Sequence, residues 1–192
     1  LMATQHGDLV GKNVFQTLKY YDQLLTEIDA EQQTLKQSIR THKHNGIVKY
    51  IRDLLQQEIC RAMNQLVHIY APREIVVENL NFHNTSLSKE MNRIFRNCGL
   101  SIMKAKLKQL EGEFGIKVIY LHPAYSSVTC NQCGYVDENN RKQQDTFKCL
   151  LCGYHLHADV NAAKTHLSRS SCEGYDIDRS KKSILHLTWD NF

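Results

Sequence analysis

Residues 130–134 read Cys-Asn-Gln-Cys-Gly, and residues 149–153 read Cys-Leu-Leu-Cys-Gly. The two stretches are near-copies, and fifteen residues lie between the two cysteine pairs, a spacing typical of a four-cysteine zinc site. Each Cys-x-x-Cys turn supplies one edge of a thiolate tetrahedron, and the glycine after it lets backbone amides turn toward the sulfurs. We predict one Zn²⁺ in a zinc ribbon over residues 122–157, with these ligands: Cys130, Cys133, Cys149 and Cys152.

Four thiolates close the coordination shell, so this metal is expected to be structural rather than catalytic. A redox pair or chance cysteines would not explain two knuckles at this spacing. His155 and His157 lie nearby but have no vacancy to fill, and we expect them to face solvent or nucleic acid. The chain has seven cysteines, an odd number, which in a reducing compartment indicates a metal site plus ordinary thiols rather than a disulfide framework.

The composition is that of a globular protein, with 42% apolar and 23% charged residues among 192. No apolar run is long enough to cross a bilayer, and the first residues lack the pattern of a signal peptide. These features favour a soluble, cytoplasmic protein that does not bind a membrane.

Outward from the cysteines, the apolar spacing predicts two long helices packed as a hairpin over residues 14–70. The His-Lys-His-Asn-Gly run at 42–46 is expected to break the pattern, and Pro72 to end the second helix. Residues 74–78 and 116–121 then read as strands on either side of a helix over 91–114 that ends at Gly115.

Strand, helix and strand in this order are an α/β signature. After the cysteine-rich segment a helix is predicted over 159–167, and residues 168–192 show no firm pattern. Residues 1–12 read as a strand and a tight turn.

Basic residues cluster in two stretches. Residues 32–52 contain no acidic residue, and residues 89–108 contain one acidic residue, Glu90. Such faces suit a phosphate backbone, although a solvated helix surface is the more common explanation of any single charge run. The candidate nucleic-acid contacts here are Lys36, Arg40, Lys43, Arg93, Arg96, Lys104 and Lys106.

Two carboxylates, Glu78 and Asp159, lie at the ends of predicted elements. Glu78 ends an apolar strand, where burial is costly unless a partner such as a metal compensates it. Asp159 begins a helix, where Asp is also a favoured cap. Taken singly, an exposed strand end and a helix cap are the simpler interpretations of the two.

Taken together with the ribbon, the order of elements resembles the C-terminal half of the TnpB transposon-encoded nucleases and the related type V CRISPR effectors. Residues 75–80 (Ile-Val-Val-Glu-Asn-Leu) resemble the second RuvC motif, and residues 158–163 (Ala-Asp-Val-Asn-Ala-Ala) resemble the third. The likeness runs from about residue 1 to about residue 169. Further stretches that carry it are 92–99, 106–107, 123–130, 140–142 and 147–149.

The resemblance implies an α/β fold with an RNase H-like (RuvC-like) core, formed by residues 1–121 and 158–192, into which the ribbon is inserted. It also implies DNA cleavage with divalent metal, Mg²⁺ or Mn²⁺, held by three carboxylates. Glu78 and Asp159 would be two of the three. The partners implied are DNA and a guide RNA, and Arg141 is a candidate for positioning DNA near the site.

The sequence also departs from the family's pattern at its start. The family's first catalytic Asp lies a few residues before a stretch like residues 1–7, and Asp8 stands at the wrong position to replace it. We therefore expect the chain by itself to cleave DNA poorly, and the N-terminal part of the same protein to be a further partner.

Two alternatives remain open. One is a catalytically inactive, RNA-guided DNA-binding protein, against which the presence of Glu78 and Asp159 argues mildly. The other is a stand-alone zinc-ribbon adaptor for nucleic acid or protein, which would need neither the helical hairpin nor the strand that carries Glu78.

Overall fold

The computed structural model describes residues 2–35, 41–78 and 87–190, and these form two compact units. The first unit comprises Gly11–Pro72 and Asn81–Gly115, and the second comprises Met2–Val10, Arg73–Leu80 and Ile116–Phe192. Lys36 and Arg40, two of the predicted nucleic-acid contacts, lie outside the described residues. Among the helices described, none is both long and apolar enough to cross a membrane.

The first unit is helical. Its elements are α1 (Lys12–Thr34), α2 (His42–Tyr70), α3 (Lys89–Ile94), a π-helical turn (Phe95–Gly99) and α4 (Leu100–Phe114). The helical spacing of the apolar residues explains the packing, because it collects them on the facing sides of the helices. The buried core of this unit consists of Val14, Leu18, Leu25, Val48, Ile51, Leu55, Met91, Ile94 and Phe95.

The predicted break at 42–46 is wrong, because α2 begins at His42 and runs through that segment. Thr41 caps the helix with its hydroxyl, which accepts a hydrogen bond from the backbone amide of His44. Val48 and Ile51 are buried on one face, and this apolar packing outweighs the cost of about 1 kcal/mol for Gly46 in a helix interior.

In its described residues, the second unit contains three two-stranded sheets and two α-helices. The antiparallel pairs are β1 (Met2–Ala3) with β2 (Leu9–Val10) and β5 (Thr146–Lys148) with β6 (His155–His157). The parallel pair is β3 (Glu74–Glu78) with β4 (Lys117–Leu121), in the register Glu78 opposite Leu121. The helices are α5 (Ala158–Ser170) and α6 (Lys181–Asp190). The mixed α/β content predicted from the sequence is confirmed.

Helix α6 lies within residues 168–192, for which no firm pattern was predicted. Ile184 and Thr188 are fully buried one turn apart, whereas Trp189 is exposed. Apolar residues therefore lie on both faces of this short helix, and this arrangement hides its period in the sequence. Ile184 forms a core with Leu121 of β4 and with Tyr175, which precedes the helix.

Arg169 connects three parts of the second unit from a fully buried position. Its guanidinium donates to the carbonyl of Ala124 at 2.8 Å and to the hydroxyls of Thr129 and Thr188, each at 3.3 Å. It also lies over the ring of Tyr175, 4.9 Å from the centroid. Burial lowers the pKa of Arg169, and the three hydrogen bonds and the aromatic face offset part of the cost of burying a charge.

Candidate metal centres

The two cysteine knuckles have the same backbone geometry. In each, the glycine amide donates to the carbonyl of the first cysteine, at 2.8 Å for Gly134 and 3.1 Å for Gly153. Both glycines have a positive φ, 72° and 74°, which is open to glycine at little cost. The amides of Cys130 and Cys149 donate to carbonyls of the residue after each glycine, at 2.9 and 2.8 Å. The sequence repeat is therefore also a structural repeat.

The four sulfurs face one another across the two knuckles. The Sγ atoms of Cys130 and Cys152 are 3.7 Å apart, and those of Cys133 and Cys149 are 3.6 Å apart. All four lie within 4.8 Å of one another. A tetrahedron with Zn–S bonds of about 2.3 Å has sulfur–sulfur edges of about 3.8 Å. The four-cysteine cluster therefore fits the metal site of a zinc ribbon.

The protein environment of the thiols opposes their ionisation at two positions. Burial raises the pKa of the Cys130 and Cys133 thiols. A hydrogen bond from the backbone amide of Tyr154 lowers the pKa of Cys152 to about 7. Because a metal binds the thiolate form, ion binding at this cluster must release protons, and a cation is needed to hold buried thiolates together.

Two asparagines, which the sequence analysis did not single out as structural, hold the ribbon in place. Asn140 is buried and donates to the carbonyl of Val128 at 2.9 Å, while its carbonyl accepts from the amide of Leu150 at 2.9 Å. Asn161 of α5 donates to the carbonyl of Thr129 at 2.8 Å. Buried Asn side chains with paired amide and carbonyl groups are typical of fixed loop junctions.

Glu78 lies at the carboxyl end of β3 with its side chain 31% exposed. Its Oε2 atom is 3.1 Å from Nε2 of His166, which lies on α5. His166 is largely buried, and sequence reasoning missed it because a lone histidine in a helical pattern carries no signal of its partner.

Asp159 lies in the first turn of α5 with its side chain 52% exposed. It is not the helix cap, because His157 occupies that position. Nδ1 of His157 accepts a hydrogen bond from the backbone amide of Asp159 at 3.3 Å. The Asp159 carboxylate instead accepts a hydrogen bond from Arg141 of the ribbon, at 2.9 Å. The structure therefore brings Arg141 to one of the two candidate carboxylates.

Asp159 and His166 lie on the same face of α5, since seven residues complete nearly two helical turns, about 10 Å along the axis. Helical side chains lean toward the N-terminus, so the ring of His166 covers the turn on the side of Asp159. Among the described residues, the four cysteines are the one group of three or more possible ligands close enough to hold an ion. Glu78 and Asp159 do not form such a group with a third residue of that part of the chain.

The remaining predicted nucleic-acid contacts differ in exposure. Lys43, Arg93, Arg96 and Lys104 are exposed, and Arg93 pairs with Glu90 at 2.8 Å. Lys106 is 7% exposed, and its Nζ donates to the side chain of Gln109 at 3.0 Å. Lys106 is therefore the least available of these cations for a phosphate.

Comparisons with known proteins point to the same region. Residues 101–166 match the family model described as Cas12f1-like, TNB domain. The CRISPR-associated endodeoxyribonuclease Cas12f1 of Sulfoacidibacillus thermotolerans is 41% identical over 73 residues, which are 38% of this chain and 17% of that protein. The TnpB-like protein aq_aa05 of Aquifex aeolicus (strain VF5) is 34% identical over 77 residues, which are 39% of this chain and 25% of that protein.

Over these stretches the chain is similar to members of the TnpB and type V effector family. A solved Cas12f1–sgRNA–target DNA complex matches 81% of this chain and 41% of its own, with a TM-score of 0.52 and 19% identity. CasPhi-2 (Cas12j), solved with crRNA and phosphorothioate-DNA, matches 79% of this chain and 22% of its own, again with a TM-score of 0.52 and 19% identity. These two likenesses concern the fold alone. The chain spans between 17% and 25% of the length of the curated TnpB and type V relatives named here.

Proposed function

We propose that this chain is the RuvC-like nuclease region, with its zinc ribbon, of an RNA-guided DNA endonuclease. The observation that carries the proposal is the placement of the two carboxylates. Glu78 ends β3 and contacts α5 through His166, and Asp159 lies on the same face of α5. In this proposal residues 1–121 and 158–192 form an RNase H-like core around the ribbon of residues 122–157.

The chemistry of the donors fits a hard divalent cation. Mg²⁺ and Mn²⁺ prefer carboxylate oxygens. Among the described residues, Oε1 of Glu78 and Oδ2 of Asp159 take part in no hydrogen bond, so each carboxylate keeps one oxygen for a metal. When bound, the metal would activate a water and stabilise the leaving oxygen of a DNA phosphodiester.

The protein's own residues would then hold the site. His166 fixes the second oxygen of Glu78, and Arg141 fixes that of Asp159. Because Arg141 is 21% exposed and sits beside the carboxylate, it is suited to contact a phosphate of the substrate strand as well. The cluster of four cysteines would hold zinc and thereby fix the ribbon that carries Arg141.

The partners in this proposal are a guide RNA and DNA. Exposed cations of the helical unit would contact the sugar–phosphate backbone, which is read by charge and shape rather than by sequence. The residues proposed for this contact are Lys43, Arg93, Arg96 and Lys104. Two solved relatives are complexes with guide RNA and DNA by their own description.

The direct test is Mg²⁺-dependent cleavage of end-labelled single-stranded DNA. It should be run on this chain and on a form extended by the codons upstream of Leu1, each with Glu78→Gln and Asp159→Asn. Both substitutions keep the side-chain size and remove the charge. Glu74→Gln is a matched control on the same strand, because Glu74 is exposed and, within the described part of the chain, its ion pair is with exposed Lys117.

We expect the extended form, and not this chain by itself, to cleave DNA efficiently in Mg²⁺. Glu78→Gln and Asp159→Asn should each abolish that cleavage, and Glu74→Gln should leave it unchanged. If neither form cuts, yet both bind nucleic acid in a salt-dependent way, the chain is an inactive binder and the nuclease proposal fails. If removal of zinc alone abolishes all nucleic-acid affinity, the zinc-ribbon adaptor becomes the better interpretation.

A further inference from the structure

His166 contacts Glu78 through a single hydrogen bond from a nearly closed position. The His166 side chain is 7% exposed, while that of Glu78 is 31% exposed. The ring therefore contacts the carboxylate from the protein side and leaves the outer side of Glu78 open. Burial at position 166 does not by itself require a polar side chain, since α5 also buries the apolar residues Ala158 and Val160.

The second ring nitrogen decides how this contact works. Nδ1 of His166 is buried and has no hydrogen-bond partner among the described residues. If Nδ1 carried a proton, a buried N–H donor would be left unpaired, which is costly. The tautomer that avoids this cost has its proton on Nε2, and that proton is donated to Oε2 of Glu78. Oε2 is then committed to the histidine, and Oε1 is the oxygen that can bind a cation.

We propose that His166 is a positioning residue that fixes the orientation of the Glu78 carboxylate toward a divalent cation. This inference rests on the proposed function, because it takes Glu78 to be a metal ligand. An imidazole that donates a hydrogen bond to a ligating carboxylate restricts the orientations of that carboxylate before the metal binds. Less conformational entropy is then lost when the metal is bound. Partners of this kind typically contribute about 10- to 100-fold to metal affinity.

The test measures Mn²⁺ binding to the zinc-loaded chain, from the electron paramagnetic resonance signal of free Mn²⁺. Zinc loading keeps the four cysteines out of the titration. The variants are His166→Leu, which fills the buried position without a donor, and His166→Gln, whose amide can still donate to Glu78. Thermal unfolding followed by circular dichroism shows whether each variant is folded, and Glu78→Gln and Asp159→Asn serve as references.

We expect His166→Leu to weaken Mn²⁺ binding by roughly 10- to 100-fold while the chain stays folded. His166→Gln should recover most of that loss, which a purely structural role for the ring would not predict. If Glu78→Gln and Asp159→Asn weaken binding but His166→Leu binds as well as wild type or better, this inference is wrong and the proposed function stands. If neither reference variant weakens binding, the proposed metal site itself is refuted.

Discussion

Removal of the zinc that we propose for the four cysteines should unfold the cysteine-rich segment while the helical unit stays folded. The segment has a very small core, consisting of Cys130, Phe147, Cys149 and Ala158. Two of these four are themselves metal ligands, and Phe147 is the one large apolar side chain among them. Segments shorter than about 40 residues usually need a metal or a disulfide to fold.

The magnitudes make the metal decisive. Full burial of a side chain such as Phe147 contributes about 1.5–3 kcal/mol. A structural zinc contributes about 10–16 kcal/mol in small zinc domains at neutral pH. The helical unit has its own core of nine buried residues, none of which is a cysteine. Loss of the metal should therefore not directly lower the stability of that unit.

Amide hydrogen exchange read by mass spectrometry checks this prediction. After chelation, or in Cys130→Ser, peptides that cover 128–157 should exchange rapidly, while peptides from α2 should keep their protection. Cys172→Ser is the matched control, because Cys172 is partly buried but lies outside the cluster. If metal analysis shows that zinc is gone and residues 146–157 remain protected, the reasoning about the small core is refuted.

Two further predictions concern the second unit. Burial lowers the pKa of His122 below 6.5, so the unfolded chain binds a proton first and stability falls as the pH drops through about 6.5. In His122→Asn, whose carbonyl can still accept from the Ala124 amide, urea unfolding between about pH 5.5 and 7.5 should depend less on pH, and an unchanged dependence would assign it elsewhere. Arg169→Ala leaves a cavity and removes the hydrogen bonds that the guanidinium donates to the Ala124 carbonyl and to the hydroxyls of Thr129 and Thr188, so we expect a loss of at least about 3 kcal/mol in urea unfolding. A denaturation midpoint equal to that of wild type would show that the buried guanidinium contributes no net stability.

Local patterns in the sequence were enough to predict several elements correctly. The two near-identical knuckles predicted the sulfur cluster, since ligand identity and spacing are local properties of the chain. The strand at 74–78 and the helix that ends at Gly115 are also confirmed, because apolar runs and a left-handed glycine are local signals. The assignment of Glu78 and Asp159 to a catalytic metal stays a prediction.

The errors fell where packing overrides local preference. Residues 42–46 looked like a break, yet they begin α2, because the cap at Thr41 and the burial of Val48 and Ile51 outweigh the cost of an interior glycine. Residues 181–190 looked patternless, yet they form α6, because Ile184 and Thr188 find a buried surface that the sequence does not reveal.

The sequence by itself determined which chemical groups this protein has and the spacing of those that lie close along the chain. Only the tertiary structure decided which distant groups meet. His166 meets Glu78 from 88 residues away, and Arg141 meets Asp159 from 18 residues away. The physical reason is that a hydrogen bond depends on distances of about 3 Å, which are fixed by the packing of β3, α5 and the ribbon and not by any local pattern.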